Sequence, residues 1–144
     1  MNPTAIFGPA LTTRLSSSPL LIKAMLDGTM TVAPRARFGV ADVRDIADLP
    51  VRAMAAPDAA GKRFLALADG PASSFVEVAA ILRDNFGATL APTEETPGPD
   101  LPRPVIHDGR TRTEPGRQPR PVEATIVETA QSLRDLGLLD QSAG

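Results

Sequence analysis

The stretch from Arg37 to Met54, RFGVADVRDIADLPVRAM, constrains the chain most, because a strand pattern passes directly into a helix pattern. On a period-two strand, Phe38, Val40 and Asp42 share one face, and Gly39, Ala41 and Val43 share the other. Asp45 stands at an N-cap position, where its carboxylate can accept backbone N–H groups of the next turn. Ile46, Leu49 and Met54, with Ala47 and Ala53, then supply the apolar side of a helix. A strand feeding a capped amphipathic helix is the working unit of an α/β domain. Pro50 brings one conflict. With Asp45 as cap it lies inside the helix and removes a hydrogen bond, at about 3 kcal/mol. With Asp48 as cap it falls in the first turn, and this later start is preferred.

The flanking segments extend the α/β pattern. Thr4 to Phe7 reads as a short strand ended by the Gly8-Pro9 turn. Ser16, Ser17 and Ser18 offer cap oxygens to a helix with Pro19 in its first turn, Leu20, Leu21, Ala24 and Met25 at helical spacing, and Gly28 as its stop. Arg63 to Ala68 is a strand pattern. Ser74 and Glu77 form a capping box ahead of a stripe of Phe75, Val78, Ala79, Leu82 and Phe86, closed by Gly87. Thr89 to Ala91 fits a short final strand. Periodicity then stops, and Pro, Gly, Arg and acidic residues dominate from Pro92 to Pro121. A last helix is expected from Pro121 to Leu136, with Val122, Ile126, Ala130 and Leu133 on one face, Gly137 as stop, and Leu138-Leu139 folding back onto the body. The expectation is an α/β fold of about three short strands and four helices. Residues 1–91 would form the α/β portion, 92–120 a Pro-rich irregular linker and 121–139 the C-terminal helix.

Composition narrows the function. A chain of 144 residues has room for one domain with a real core. A formal charge of −2 provides no field for nucleic acid or an anionic membrane. With no Cys, disulfides, thiolate nucleophiles and Cys-based zinc sites are excluded, and a single His leaves no His pair for a metal. No apolar run is long enough to span a bilayer, and the first residues lack the basic and apolar regions of a signal peptide, so a cytoplasmic protein is expected.

Reactive constellations are scarce. Asp42, Asp45 and Asp48 could be a carboxylate cluster, but Asp45 and Asp48 read as helix-start acids that complement the macrodipole, and Asp42 ends a strand beside Arg44. His107 sits in the Pro-rich stretch and reads as a solvated loop residue. Arg103, Arg110, Arg112, Arg117 and Arg120 are offset by Glu94, Glu95, Asp100, Asp108 and Glu114, without interleaved aromatics for base stacking. Neither G-x-G-x-x-G nor a P-loop pattern occurs. Ser16 to Ser18 have no base at a readable spacing and serve better as caps. The residues taken alone nominate no catalytic group and no metal ligand.

A resemblance adds what these residues do not. Asn2-Pro3-Thr4-Ala5-Ile6-Phe7-Gly8-Pro9 resembles the segment following the catalytic Tyr-x-x-x-Lys helix of extended short-chain dehydrogenases/reductases. Phe38 to Leu49, followed by Arg52-Ala53-Met54, resembles the family's F-V-D-V-R-D-V-A-D strand and helix. Gly61 to Ala66 is similar to the strand after it, and Gly116-Arg117-Gln118-Pro119-Arg120 to its G-W-x-P element. The branch most similar is the dihydroflavonol-reductase-like group within the NAD-dependent epimerase/dehydratase family. Coverage runs from Asn2 to about Ala91 and resumes at Gly116.

The resemblance implies a partial Rossmann-type, substrate-binding C-terminal region that works with NAD or NADP. Pro3 and Thr4 match positions that pass the nicotinamide end of the cofactor. Phe38 falls where sugar-nucleotide epimerases tend to carry a phosphate-binding Arg, which implies a small apolar carbonyl substrate. Arg37, one residue away, would face the opposite side. The family's Gly-rich turn and Ser/Tyr/Lys set have no match here, so no proton donor for hydride transfer is present and inactivity alone is expected. A separate chain carrying the cofactor domain is one implied partner; self-association is another, for a small binding or oligomerisation module. A gene remnant without function is the third reading. Three departures stand out: Arg117 in place of Trp, Pro50 inside a family helix, and the Pro-rich stretch before Gly116.

Overall fold

The computed structural model of the chain describes residues 2–105 and 118–139. Among these, six strand segments of two or three residues alternate with four α-helices. In order they are β1 (Asn2–Pro3), β2 (Ala5–Phe7), α1 (Ser17–Leu26), β3 (Arg37–Phe38), β4 (Val40–Asp42), α2 (Val43–Ala55), β5 (Leu65–Ala66), β6 (Ser73–Ser74), α3 (Phe75–Phe86) and α4 (Val122–Asp135). The α/β class and the four helices agree with the sequence pattern. His107, Arg110, Arg112, Arg117, Asp108, Glu114 and the Gly116-Arg117 motif lie outside the described residues.

The opening segment reaches two partners. Its first half, β1, runs parallel to β5 (Asn2 opposite Leu65), and its second half, β2, runs parallel to β4 (Ala5 opposite Val40). A helix must cross between parallel neighbours, and α1 does so between β2 and β4. β3 turns away to pair antiparallel with β6, Arg37 opposite Ser74. The strand expected to run unbroken from Phe38 to Val43 is therefore divided at Gly39, where a Cβ would lie 3.0 Å from Leu67 Cδ1 and 3.1 Å from Thr4 Cγ2. Val40, Ala41 and Asp42 are all buried, so both faces of β4 are covered and the expected inside–outside alternation is absent. Within the 63–68 segment the strand proper is Leu65–Ala66, and its backbone pairing extends on both sides: Phe64 O accepts from Asn2 N–H at 2.8 Å and Ala68 N–H donates to Val40 O at 2.6 Å. The strand expected at Thr89 to Ala91 is a turn.

Helix α2 corrects the preferred cap. It begins at Val43, with Asp42 as the N-cap accepting from Arg44 N–H at 2.9 Å, and it carries Pro50 in its interior. The cap comes three residues before Asp45 because the Asp42 carboxylate ends a buried strand beside its own partners. The helix buries Leu49 against Phe64 and Ala66, with Ile46 and Ala53 packed alongside. Met54, expected on that face, is 82% exposed, since five residues on from Leu49 is about 140° around the helix.

The principal core lies where α1, α3 and α4 meet β2 and β4. Phe7, Ile22, Met25, Val78, Leu82, Ile126 and Leu133 are its largest fully buried apolar members. On α1 the buried positions are Pro19, Ile22, Met25 and Leu26, and Leu20 faces outward. The capping box of α3 is complete: Glu77 N–H donates to Ser74 Oγ at 3.2 Å, and Ser74 N–H donates to Glu77 Oε2 at 2.7 Å. Gly87 closes α3 at φ +61, and Gly137 follows α4 at φ +67, as expected of helix stops. Leu138 and Leu139 pack back on the core. No helix among the described residues is long and apolar enough to cross a membrane.

Candidate functional site

A cleft of about 640 Å3 opens along the segment from Thr4 to Pro19 and is bounded across it by Val43, the first residue of α2. The segment enters as strand, turns at Gly8-Pro9 and climbs to the start of α1 at Ser16 to Ser18. Its turn is held closely: a Cβ on Gly8 would lie 2.6 Å from Val43 Cγ1, and the residue adopts φ +133, a conformation glycine tolerates. A second cavity of about 400 Å3 lies beside the first and shares Ala5, Phe7, Ser17 and Ser18 with it. Aromatic rings dominate its far wall. Phe38 packs edge-on against Phe75 at a centroid distance of 4.9 Å and lies 6.1 Å from Phe7.

The residues singled out in sequence divide between these spaces. Thr4 lines the first cleft, and its hydroxyl donates to Ala66 O at 3.4 Å. Pro3 is exposed at the outer end and lines neither cavity. Phe38 lines the second cavity, and so does Arg37, expected on the opposite side. Arg37 Nη1 is also 3.5 Å from Glu77 Oε2 without a hydrogen bond of its own.

The carboxylates considered as a cluster are structural. Asp42 is buried and accepts from Arg44 N–H, from Arg44 Nε at 2.8 Å, from Arg44 Nη2 at 2.6 Å and from Thr125 Oγ1 at 3.0 Å. Burial works to raise its pKa, but the Arg44 side chain and backbone N–H and the Thr125 hydroxyl outweigh burial and hold it below the usual carboxylate range. The same partnership holds the Arg44 guanidinium above its ordinary value, aided by Glu128 at 2.5 Å. Asp45 accepts from Arg120 N–H at 2.8 Å and pairs with its guanidinium at 2.5 Å. Asp48 pairs with Arg52 one turn on. Two of the three carboxylates thus tie α2 to the C-terminal segment.

Sequence reasoning missed the polar side of α4. Thr125, Thr129 and Ser132 are buried on the helix whose apolar stripe was read correctly. Thr129 Oγ1 accepts from Gly8 N–H at 2.7 Å, and Ser132 Oγ accepts from Ala10 N–H at 2.8 Å. The available signal was three hydroxyl residues at spacings of four and three on the face that also carries Ile126, Ala130 and Leu133.

The fold and cavities define the class first: a Rossmann-related α/β unit with a mixed polar and apolar cleft beside an aromatic-walled cavity, its paired carboxylates serving structure. No family profile matches the chain. A cinnamoyl-CoA reductase, CAD2 of Medicago truncatula, is 28% identical over 94% of the chain, which spans 40% of that relative. Yeast methylglyoxal/isovaleraldehyde reductase Gre2, complexed with NADPH, superposes with a TM-score of 0.75 at 22% identity, covering 94% of the chain and 46% of that protein. A UDP-glucuronic acid 4-epimerase of Bacillus cereus, in complex with UDP-glucuronic acid and NAD, superposes with a TM-score of 0.69 at 13% identity, covering 93% and 44%. In sequence and fold the chain matches the C-terminal part of an extended short-chain dehydrogenase/reductase. It spans under half the length of these relatives. NADPH and NAD are the cofactors of the intact structures it resembles.

Proposed function

We propose that the chain forms the substrate-side wall of an NAD(P)-dependent oxidoreductase acting on a small carbonyl or alcohol compound. The 144 residues contain neither the Gly-rich turn nor Tyr-x-x-x-Lys, so under this reading other polypeptide supplies both. The observation carrying the proposal is the likeness to a reductase over 94% of the chain, joined to a cleft in the segment that resembles the family's post-catalytic strand. A bound dinucleotide would supply hydride to a carbonyl carbon, and the proton for its oxygen would come from other polypeptide. Pro3 and Thr4 would border the nicotinamide end, and Phe38 with Phe75 and Phe7 would hold the apolar part of the substrate. The compartment under this reading is the cytoplasm.

The exposed strand supports a separate cofactor-domain chain as the partner. Parallel pairs are ordinarily buried inside larger sheets, whereas β1 is exposed. A cofactor domain in a separate chain would add its strand beside β1. The test is to mix the chain with such a domain and follow NADPH oxidation against small aldehydes. Reduction by the mixture and none by the chain alone is expected; no reduction by the mixture would remove the two-chain reading, and dinucleotide turnover by the chain alone would remove the division of labour.

A second reading has one observation in its favour. Val51 and Met54, three residues apart on α2, are both exposed, a pairing that suits self-association. Size-exclusion chromatography separates the two: a dimer lost on Met54→Lys supports it, and a monomer with a cooperative melt counts against it.

A further inference from the structure

We propose that Thr129 and Ser132 of α4 are positioning residues that set the Gly8–Ala10 wall of the cleft; the inference rests on reading that cleft as a substrate site. The two hydroxyls are oriented by their own helix. Thr129 Oγ1 donates to Thr125 O at 2.7 Å, and Ser132 Oγ donates to Thr129 O at 2.7 Å. A hydroxyl has one hydrogen, so each is committed to α4 and its oxygen is left to accept. The acceptors meet Gly8 N–H and Ala10 N–H, both from the cleft-lining segment. Pro9 between them has no N–H to give, so these two bonds anchor the backbone donors on both sides of the turn.

The contacts join distant sequence. Gly8 and Thr129 are 121 residues apart, and Ala10 and Ser132 are 122 apart. On the opposite side Val43 stands against Gly8, which leaves the turn wedged between α2 and α4. One turn nearer the start of α4, Thr125 donates to Asp42, the cap of α2. A single buried row, Thr125, Thr129 and Ser132, therefore fixes both borders of the cleft relative to each other. A change in α4 alters the cleft's width without touching any residue that lines it.

The test is residue-resolved amide hydrogen exchange on the full chain. Thr129→Val keeps side-chain shape and removes the acceptor, so exchange at Gly8 rises about tenfold or more while core amides such as that of Leu82 change much less. Thr129→Ser restores protection, and Ser132→Ala acts at Ala10 in the same way. In the enzyme assembled with its cofactor domain, Thr129→Val raises KM for the carbonyl compound with kcat little changed. Unaltered exchange at Gly8, a uniform rise along the chain, or failure of Thr129→Ser to restore protection would overturn the proposal. Should Thr129→Val not fold, Ser132→Ala decides it at Ala10. An assembled enzyme that reduces nothing would remove the functional reading, and the exchange result would still decide this one.

Discussion

Replacing Asp42 isolates the contact on which α2, β4 and α4 converge. Asp42→Ala removes three interactions at once. The helix cap is worth about 1 kcal/mol. Thr125, fully buried, loses the acceptor of its hydroxyl, at about 1–2 kcal/mol. The Arg44 side chain is 36% exposed and keeps Glu128 at 2.5 Å. Water and the second carboxylate therefore replace most of what it loses, and this pair adds at most about 1 kcal/mol. A destabilisation of about 3 kcal/mol results, a large share of the 5–15 kcal/mol typical of a domain. Asp42→Asn retains a cap oxygen and a polar neighbour for Thr125, so its cost is about half as large. Urea unfolding at neutral pH should give midpoints in the order wild type, Asn, Ala, with an unchanged slope.

The pH dependence supplies an independent check. The Asp42 carboxyl is depressed in the folded chain, so its stabilisation is complete above the unfolded carboxylate pKa of about 3.9 and disappears as pH falls through the lower folded value. The gap between wild type and Asp42→Asn should be constant from about pH 5 to neutrality and should narrow below about pH 4. An Asn variant as stable as wild type at neutral pH, or a gap that widens on acidification, would refute the assignment of Asp42 as a charged structural clamp.

Two further substitutions test the backbone. Gly8→Ala imposes a Cβ 2.6 Å from Val43 Cγ1 on a residue at φ +133, and it should destabilise the chain by about 2 kcal/mol or more in thermal melts. Adding Val43→Ala should recover only the steric part. Pro50→Ala should stabilise by about 1–2 kcal/mol in the same assay, because the exposed interior of α2 regains a hydrogen bond, partly offset by a more flexible unfolded chain.

These residues also show which interactions a sequence exposes. The Ser74–Glu77 capping box spans three residues and is satisfied almost wholly within them, so it is readable from four letters and appears as expected. The glycine stops after α3 and α4 and the stripes of α3 and α4 are equally local. The start of α2 is different. Local spacing offers Asp45 and Asp48 as caps, whereas the cap is Asp42, whose carboxylate is held by Thr125, 83 residues away. Pro50 argued for the later of the two on local grounds. The long-range contacts outweighed it, because a helix interior tolerates one lost hydrogen bond when its start is fixed by a buried, multiply bonded carboxylate.

The cleft was legible in the same partial way. Thr4 lines the first cleft and Phe38 the second cavity. What could not be read is that the two cavities meet, because their common border, Ala5, Phe7, Ser17 and Ser18, forms only when β2 and α1 pack. The hydroxyl row on α4 is instructive for the opposite reason. A buried Thr or Ser would ordinarily count against a core face, yet by donating to its own helix carbonyl it satisfies its proton internally and presents one acceptor outward. Two such residues on an apolar stripe, Thr129 and Ser132, therefore describe a helix that packs and, on the same face, receives backbone N–H groups from another segment. That segment must present unpaired donors near a turn, and in this chain Gly8 and Ala10 flank a proline that has none to offer.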